Sequence, residues 1–249
     1  MQLFDLDLAL TKLLKPGDFH DFCPNGLIVD STGHTGHPVF KVVTGVSLRD
    51  QLIDEAVRRD ADAIIVHHPN GFWFSEKDKR VVYDNGKYLR KLISKKIDLF
   101  GYHLPLDAHP TVGNNVSICD ALGLECDPCQ APFMDGIGRI GEGSLDKLSE
   151  AFPHGYQVYG NPIEPGRQYI VGVCSGSGTS GLEEAMNIGC SVFITGEVRE
   201  STPIFAEEHD MTVIAAGHHR SEVFGVRNLA KWLTDNHVPA EFVDIDNPV

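Results

Sequence analysis

The hydrophobic positions in the first part of the chain follow two periodicities. Residues 41–46 (KVVTGV) are β-branched and apolar, which predicts a strand, and residues 63–66 (AIIV) form a short apolar run typical of a strand buried on both faces. Between these runs, apolar side chains recur on one face of a predicted helix, at Leu52, Ile53, Ala56 and Val57. This order of elements favours a parallel sheet with helices packed against it.

The same alternation continues towards residue 125. Leu89, Leu92 and Ile93 mark the apolar face of a helix, residues 97–100 predict a strand, and Gly123 is a natural C-cap for the helix that follows. We therefore predict the α/β fold class.

The composition changes in the middle of the chain. Residues 126–168 are rich in glycine and proline, which favours hairpins or a small connecting subdomain, and regular alternation resumes at Tyr169. We predict an N-terminal α/β half at 1–125, a connecting subdomain at 126–168 and a C-terminal α/β half at 169–249.

The C-terminal part of the chain repeats the pattern of the N-terminal part. Residues 41–68 align with residues 169–197 as strand, glycine, helix and strand, and this register matches His68 with Glu197. Strand-helix-strand units are common, so this match alone could arise by chance.

A second pair of segments strengthens the case for a duplication. Residues 89–107 align with residues 203–222, and each segment ends in His, three residues and a carboxylate. The residues matched in this way are His103 with His218 and Asp107 with Glu222. We therefore predict two interlocked, pseudo-symmetric α/β halves.

Imidazole and carboxylate side chains follow the predicted strands, where an α/β sheet presents its site. His67 and His68 end an apolar run and precede Pro69, which cannot donate to a ladder, so that both rings can turn to one site. His218 and Glu222 are four residues apart and could share a helix face. These ligand types suit a divalent transition metal, in a cleft between the halves because both halves supply them. The alternative is that each histidine is an ordinary hydrogen-bonded residue.

Composition limits the classes of partner. The 249 residues are 42% hydrophobic and carry a formal charge of −14, which opposes an extended nucleic-acid surface. No apolar run approaches the about 20 residues that span a bilayer, and the N-terminus lacks a basic, cleavable signal. Cys126-x-x-Cys129 has no second pair at zinc-ribbon spacing, which favours a reduced compartment. We expect a cytoplasmic protein that does not contact membranes.

Two glycine-rich segments invite other interpretations. Residues 136–141 match the dinucleotide-binding pattern GxGxxG, but the preceding APFMD is a poor strand, so a glycine-rich β segment is favoured. Residues 175–180 link a strand to a helix without the lysine of a P-loop. That loop could contact a substrate phosphate or could be a plain tight turn.

The site motifs resemble those of the YbgI type of the Nif-three-like dinuclear metal-centre family, also described as GTP cyclohydrolase I type 2 homologues. The resemblance covers essentially the whole chain. Its carriers are PNGL at 24–27, VTGV at 43–46, ADAIIVHH at 61–68, GYHLPLDAHPTVGNN at 101–115, ITGEV at 194–198 and AAGHHRSE at 215–222.

The resemblance implies a ligand set and an assembly. Two divalent metal ions per chain, with Fe, Mn, Zn or Ni as candidates, would be bridged by Glu222, and a ring-shaped homohexamer is expected. His103 and Glu197 become catalytic candidates, and His219, which replaces a tyrosine of many relatives, is expected at the edge of the site. The ligands implied by the motifs are His67, His68, Asp107, His218 and Glu222.

Charge arithmetic indicates what such a centre would bind. Two divalent ions about 4 Å apart repel by roughly 16 kcal/mol at an effective dielectric constant near 20, so anionic bridges are needed. Asp107 and Glu222 supply two negative charges, and the excess positive charge favours a small anionic substrate such as a nucleotide. We therefore expect metal-dependent hydrolysis of a nucleotide or related heterocycle. The alternative is a non-enzymatic metal-binding protein, such as a metallochaperone or regulatory partner.

Overall fold

The computed structural model describes residues 1–72, 81–127 and 133–249. Its strands, in chain order, are β1 Gly26–Val29, β2 Val42–Ser47, β3 Ala63–His68, β4 Asp98–Gly101, β5 Glu125–Cys126, β6 Arg139–Gly143, β7 Gln157–Gly160, β8 Tyr169–Cys174, β9 Val192–Thr195, β10 Thr212–Ala215 and β11 Ala240–Phe242. Its α-helices are α1 Leu3–Leu14, α2 Asp50–Arg58, α3 Tyr83–Lys95, α4 Leu104–Ala108, α5 Asn114–Leu122, α6 Leu148–Ala151, α7 Leu182–Asn187, α8 Ser201–Glu208, α9 His218–Ser221 and α10 Val223–Asp235.

The described residues form two compact units. Unit 1 contains Met1–Leu106 and Val226–Asp246, and unit 2 contains Asp107–Gly225 and Asn247–Val249. The chain leaves unit 1 within α4 and returns to it within α10. The predicted divisions fall after residues 125 and 168, whereas the compact units place α5 and β5 in unit 2 and return most of α10 and all of β11 to unit 1.

Unit 1 is built on a sheet with the strand order β1-β4-β3-β2-β11. β2, β3, β4 and β11 are parallel, and β1 runs antiparallel to β4. The predicted apolar run lies in β3, where Ile64 and Ile65 are fully buried. On α2, the predicted apolar face packs Leu52, Ile53 and Ala56 into the core. The periodicities therefore identified β2, β3 and β4 of this sheet and the helices that join them.

Unit 2 is built on a sheet with the strand order β5-β6-β8-β9-β10-β7. Its centre, β8-β9-β10, is parallel, and the remaining strands pair antiparallel at its sides. β6 and β7 come from the predicted connecting segment, but their backbone hydrogen bonds place them in this sheet. Of the GxGxxG segment, residues 139–141 lie in β6, whereas Gly136 ends a short 3-10 helix, so the favoured glycine-rich β segment begins at Arg139.

The repeated pattern is visible in the two sheets. β2-α2-β3-α3-β4 and β8-α7-β9-α8-β10 each form consecutive parallel strands joined by helices. β3 ends at His68, and β9 ends two residues before Glu197. The chain therefore has a mixed α/β fold in which a strand-helix-strand pattern occurs in each unit.

Two further observations bear on the expectations from composition. Among the described helices, none has the length and apolar character needed to cross a membrane. Cys23, Cys119, Cys126, Cys174 and Cys190 are free thiols. Cys129, the other member of the Cys126-x-x-Cys129 pair, lies outside the described residues.

Candidate metal centre

His67, His68 and His103 come together at the carboxyl ends of two neighbouring strands of unit 1. His67 and His68 end β3, and His103 follows β4 by two residues. One ring nitrogen from each histidine lies within 4.8 Å of the other two, which is close enough for the three to hold a metal ion. The sequence grouped His67 with His68, and the sheet adds His103 to them.

The partners of the Nδ1 atoms orient these rings. His67 is fully buried, and its Nδ1 lies 2.9 Å from the backbone carbonyl of Tyr102. A carbonyl only accepts, so Nδ1 carries the proton and Nε2 carries the lone pair that binds metals. His68 Nδ1 lies 3.2 Å from the Ser47 hydroxyl. Metal-binding histidines commonly have such a second partner.

Asp21 orients His103 and was not identified from the sequence. Its carboxylate lies 3.0 Å from His103 Nδ1, and it accepts hydrogen bonds from the backbone N–H groups of Cys23 and Leu104, each at 3.0 Å. Asn25 donates to the same carboxylate at 3.0 Å, and its amide oxygen accepts from the backbone of His103 at 2.8 Å. The signal available in the sequence was the position of Asp21 just before the PNGL motif.

The hydrogen bonds of Asp21 determine its charge. Burial alone would raise the pKa of this carboxyl, but hydrogen bonds from His103 and Asn25 and the charge of His103 hold the pKa well below its usual value. Asp21 is therefore ionised at neutral pH. An ionised carboxylate only accepts, so it selects the form of His103 that is protonated at Nδ1.

In unit 2, His218 lies between two carboxylates. Its Nδ1 is 3.0 Å from Glu197 Oε1, and its Nε2 is 3.3 Å from Glu222 Oε1. Burial would lower the pKa of His218, but the hydrogen bonds and charges of Glu222 and Glu197 raise it to about 9. The metal-free protein therefore carries a protonated histidine at the position where the motif predicts a metal ligand.

Asp107 is held by the first turn of α5 and by the loop after β8. Asn114 donates to its Oδ1 at 2.8 Å, and the Ser175 hydroxyl donates to the same oxygen at 3.0 Å. The backbone N–H of Ser175 also donates to Asn115 at 2.8 Å. These bonds fix Asp107, which is 6% exposed, within unit 2.

Gly176 brings Glu222 to the same loop. A Cβ atom at Gly176 would lie 2.3 Å from Glu222 Oε1 and 3.2 Å from His218 Nε2, and the residue has a φ of +58°. Only glycine leaves this space open and adopts this conformation without strain. Because Ser175 contacts Asp107 and Gly176 contacts Glu222, both carboxylates face one loop.

The negative charges of these carboxylates also affect the pKa of the neighbouring Cys174 thiol. Burial raises the pKa of Cys174, and Asp107 and Glu222 raise it further through their negative charge. Two nearly buried carboxylates that lie close together repel each other, and a bound cation would offset their charge. Ligand atoms of Glu222 lie within 4.8 Å of those of Asp107 and of those of His218, and carboxylate and imidazole are ligand types that suit divalent transition metal ions.

Glu197 and His219 complete the predicted residues. Glu197 is bonded to His218 and also accepts a hydrogen bond from the Ser177 hydroxyl. The hydrogen bond from Ser177, and then that from His218, lower the pKa of Glu197. His219, expected at the edge of the site, is 4% exposed, and its backbone N–H bonds to Val249.

The amino-acid sequence is similar to those of known proteins over its whole length. The sequence model of the Duf34/NIF3 (NGG1p interacting factor 3) family matches residues 1–248 of this chain. A Vibrio cholerae protein named GTP cyclohydrolase 1 type 2 homolog is 33% identical over 258 residues, covering 100% of both chains.

Solved structures share the fold over the full length. A protein described as ybgI, of unknown function, is similar with a TM-score of 0.85 and 33% identity, covering 100% of both chains. A Thermus thermophilus protein has the same TM-score of 0.85 with 29% identity and 100% coverage of both chains.

Proposed function

We propose that this chain, which belongs to the Duf34/NIF3 family, binds two divalent metal ions and uses them to hydrolyse a nucleotide or a related heterocycle. The proposed ligands are His67, His68, Asp107, His218 and Glu222, with Glu222 as the shared ligand. The name of the curated relatives, GTP cyclohydrolase 1 type 2 homolog, suggests GTP as the first nucleotide to try.

The observation that carries the proposal is the set of partners on the histidine Nδ1 atoms. His67 bonds to a backbone carbonyl, and His103 and His218 bond to carboxylates. Such partners fix the ring and increase the basicity of the other nitrogen, as is typical of histidines at metal sites. An ordinary buried histidine also hydrogen-bonds a ring nitrogen, so the proposal depends in addition on the ring nitrogens of His67, His68 and His103 lying within 4.8 Å of one another.

The charges of the candidate ligands support an anionic substrate. Two divalent ions bring four positive charges, and Asp107 and Glu222 offset two of them. A phosphate group would offset the rest despite the overall charge of −14. When bound, the ions would supply Lewis-acid chemistry for hydrolysis.

His103 is the proposed proton carrier. Its Nδ1 is committed to the ionised Asp21, so its Nε2 is the atom that would accept and release a proton. Glu197 is the second candidate for this role, but its bonds to Ser177 and His218 favour a role in orienting His218.

One observation favours the alternative, a metal-binding protein without catalytic activity. His103 lies as close to His67 and His68 as a third ligand would. If His103 binds metal, it is not available to carry a proton, and it would help to close the coordination shell.

Metal content and hydrolysis measured together distinguish the two functions. The wild type and His103→Ala are purified without chelator, analysed for metal, and assayed on a panel of nucleotides that includes GTP. The exposed His154 provides the control variant His154→Ala. We expect His103→Ala to keep both ions and to lose about 10²- to 10⁴-fold in turnover. Loss of metal would make His103 a ligand, and absence of wild-type turnover on the panel would favour the alternative.

A further inference from the structure

Cys119 and Cys126 lie close together in unit 2 and are not among the residues proposed to bind metal. Cys119 is in the last turn of α5, and Cys126 is in β5. Gly123 ends the helix with a φ of +71°, and the backbone N–H of Leu124 donates to the carbonyl of Cys119 at 3.0 Å. The chain therefore reverses between the two cysteines and brings β5 back alongside the helix.

The register of β5 and β6 shows that both side chains are on one face of the sheet. Cys126 is the cross-strand partner of Gly141, and a Cβ atom at Gly141 would lie 3.6 Å from the Cys119 sulfur. The Cβ atoms of cross-strand partners are about 4.5–5.5 Å apart and on the same face. The Cys119 sulfur thus lies over Gly141, on the side to which the Cys126 side chain points.

The two thiols differ in exposure. Cys119 is fully buried, whereas Cys126 is partly exposed and can meet a small solute. Both belong to the same apolar cluster, in which Leu124 and Leu148 also pack. Gly141 has no side chain of its own, and the Leu124 side chain packs over it beside the Cys119 sulfur, 2.8 Å from the position of a Cβ atom.

The hydrogen bond between the two thiols makes them chemically unequal, because it acts in opposite directions on their pKa values. Arg139, which is two residues before Gly141 on β6, on the same face, and 3% exposed, lowers the pKa of both thiols through its charge. A hydrogen bond from Cys119 and the charge of Arg139 lower the pKa of Cys126, whereas burial and the charges of Asp120 and Asp127 oppose this shift without cancelling it. The same hydrogen bond and burial raise the pKa of Cys119. Cys126 is therefore the nucleophile of the pair, since it is the thiol that a solute can reach and the thiolate is the reactive form.

We propose that Cys119 and Cys126 are a redox-active pair that hydrogen peroxide converts to a disulfide. The Cys126 sulfur attacks one oxygen of the peroxide, the O–O bond breaks, and Cys126 becomes a sulfenic acid while the other oxygen leaves as water after taking a proton. The Cys119 sulfur then attacks the Cys126 sulfur. The S–O bond breaks, and the hydroxyl leaves as a second water with the proton of Cys119. Two thiols are oxidised, and one peroxide is reduced to two waters.

Peptide mapping tests this pairing directly. Cleavage before Asp120 and Asp127 places Cys119, Cys126 and Cys129 on separate peptides. Reduced protein is treated with hydrogen peroxide, its remaining thiols are alkylated, and the peptides are identified by mass. We expect the Cys119 and Cys126 peptides to appear linked, about 2 Da lighter than their sum, and to separate on reduction.

Variants establish the order of the steps. In Cys119→Ser the reaction should stop at a Cys126 sulfenic acid that a dimedone probe captures, and in Cys126→Ser the probe should find no label on Cys119. Cys129→Ser should still form the bridge, and so should Cys190→Ser, which removes another buried thiol of the same unit.

Two results would overturn the proposal. One is a peroxide-induced bridge from Cys126 to Cys129 with Cys119 still open to alkylation after unfolding. The other result is an equal rate of alkylation of Cys126 and Cys190 in the untreated wild type. We expect Cys126 to be alkylated first, and equal rates would show that Cys126 is not the more reactive thiol.

Discussion

The Asp21 carboxylate lies 3.0 Å from His103 Nδ1, across 82 positions of sequence. Backbone and side-chain donors hold this carboxylate ionised, and the bond in turn fixes the His103 ring beside His67 and His68. His103 is thus oriented by a residue that belongs to none of the motifs carrying imidazole or carboxylate ligands.

Asp21→Asn tests this relationship. The amide offers a weaker acceptor and a donor that competes with the Nδ1–H group, so we expect His103 to lose its preference for protonation at Nδ1. The ring ¹⁵N shifts of the metal-free protein report this change without any activity. If His103 acts at the proposed metal centre, the activity or metal affinity of Asp21→Asn should be about 10- to 100-fold below that of the wild type. Asp18→Asn, at an exposed carboxylate nearby, is the control, and unchanged ring shifts in Asp21→Asn would contradict the assignment.

Gly176→Ala tests the space beside Glu222 and His218. The new methyl group would lie 2.3 Å from Glu222 Oε1, so we expect weaker metal binding. The matched control is Gly166→Ala, because Gly166 has a similar φ of +72° with nothing within 4 Å of its Cβ position. Both variants should lose about 1–2 kcal/mol of unfolding free energy through backbone strain. Metal titration should separate them, and equal metal affinities would show that the space is unrelated to metal binding.

Glu222→Ala tests the proposed bridge. A shared carboxylate supports both ions, so its removal should reduce the bound metal from two ions per chain to well below one. Asp107→Ala should mainly affect one ion. Elemental analysis of protein purified without chelator measures both, with Glu207→Ala as an exposed control. Two tightly held ions in Glu222→Ala would rule out the bridging role.

A pH-dependent contribution to stability is predicted for His37 and Asp98. Asp98 is fully buried and accepts hydrogen bonds from the Ser31 backbone at 2.9 Å, the Ser31 hydroxyl at 2.8 Å and His37 Nε2 at 2.7 Å. Burial would lower the pKa of His37, but hydrogen bonds to the His34 carbonyl and to Asp98, and the charge of Asp98, raise it above 6.5.

The sign follows from this raised pKa. The folded state holds the His37 proton more tightly than the unfolded state, so the stabilisation is fully present below pH 6.5 and is lost as the pH rises through the folded pKa. His37→Gln should therefore lose about 1–3 kcal/mol of unfolding free energy at pH 6 and distinctly less at pH 9. Urea unfolding at both pH values measures this, with His154→Gln as the control. An equal loss at both pH values would contradict the charged pair.

The fold class and the family were predictable because they depend on local patterns. The alternation of apolar runs with helical periodicity identified the parallel strands β2, β3 and β4, and the motifs around His67, Asp107 and His218 identified the family. The connecting segment 126–168 was harder, since glycine and proline mark turns without indicating which sheet the neighbouring strands join. The structure places β6 beside β8 and β7 beside β10.

By itself, the sequence determined the residue types that could hold a metal and the strands that carry them, because side-chain chemistry and periodicity are local properties. Only the tertiary structure decided that His103 joins His67 and His68, that Asp21 orients His103, and that Gly176 makes room for Glu222. Those relationships join residues far apart in the chain through hydrogen bonds and packing. A local sequence pattern cannot predict which distant residues come into contact, because these contacts depend on the order in which the strands pair in the sheet.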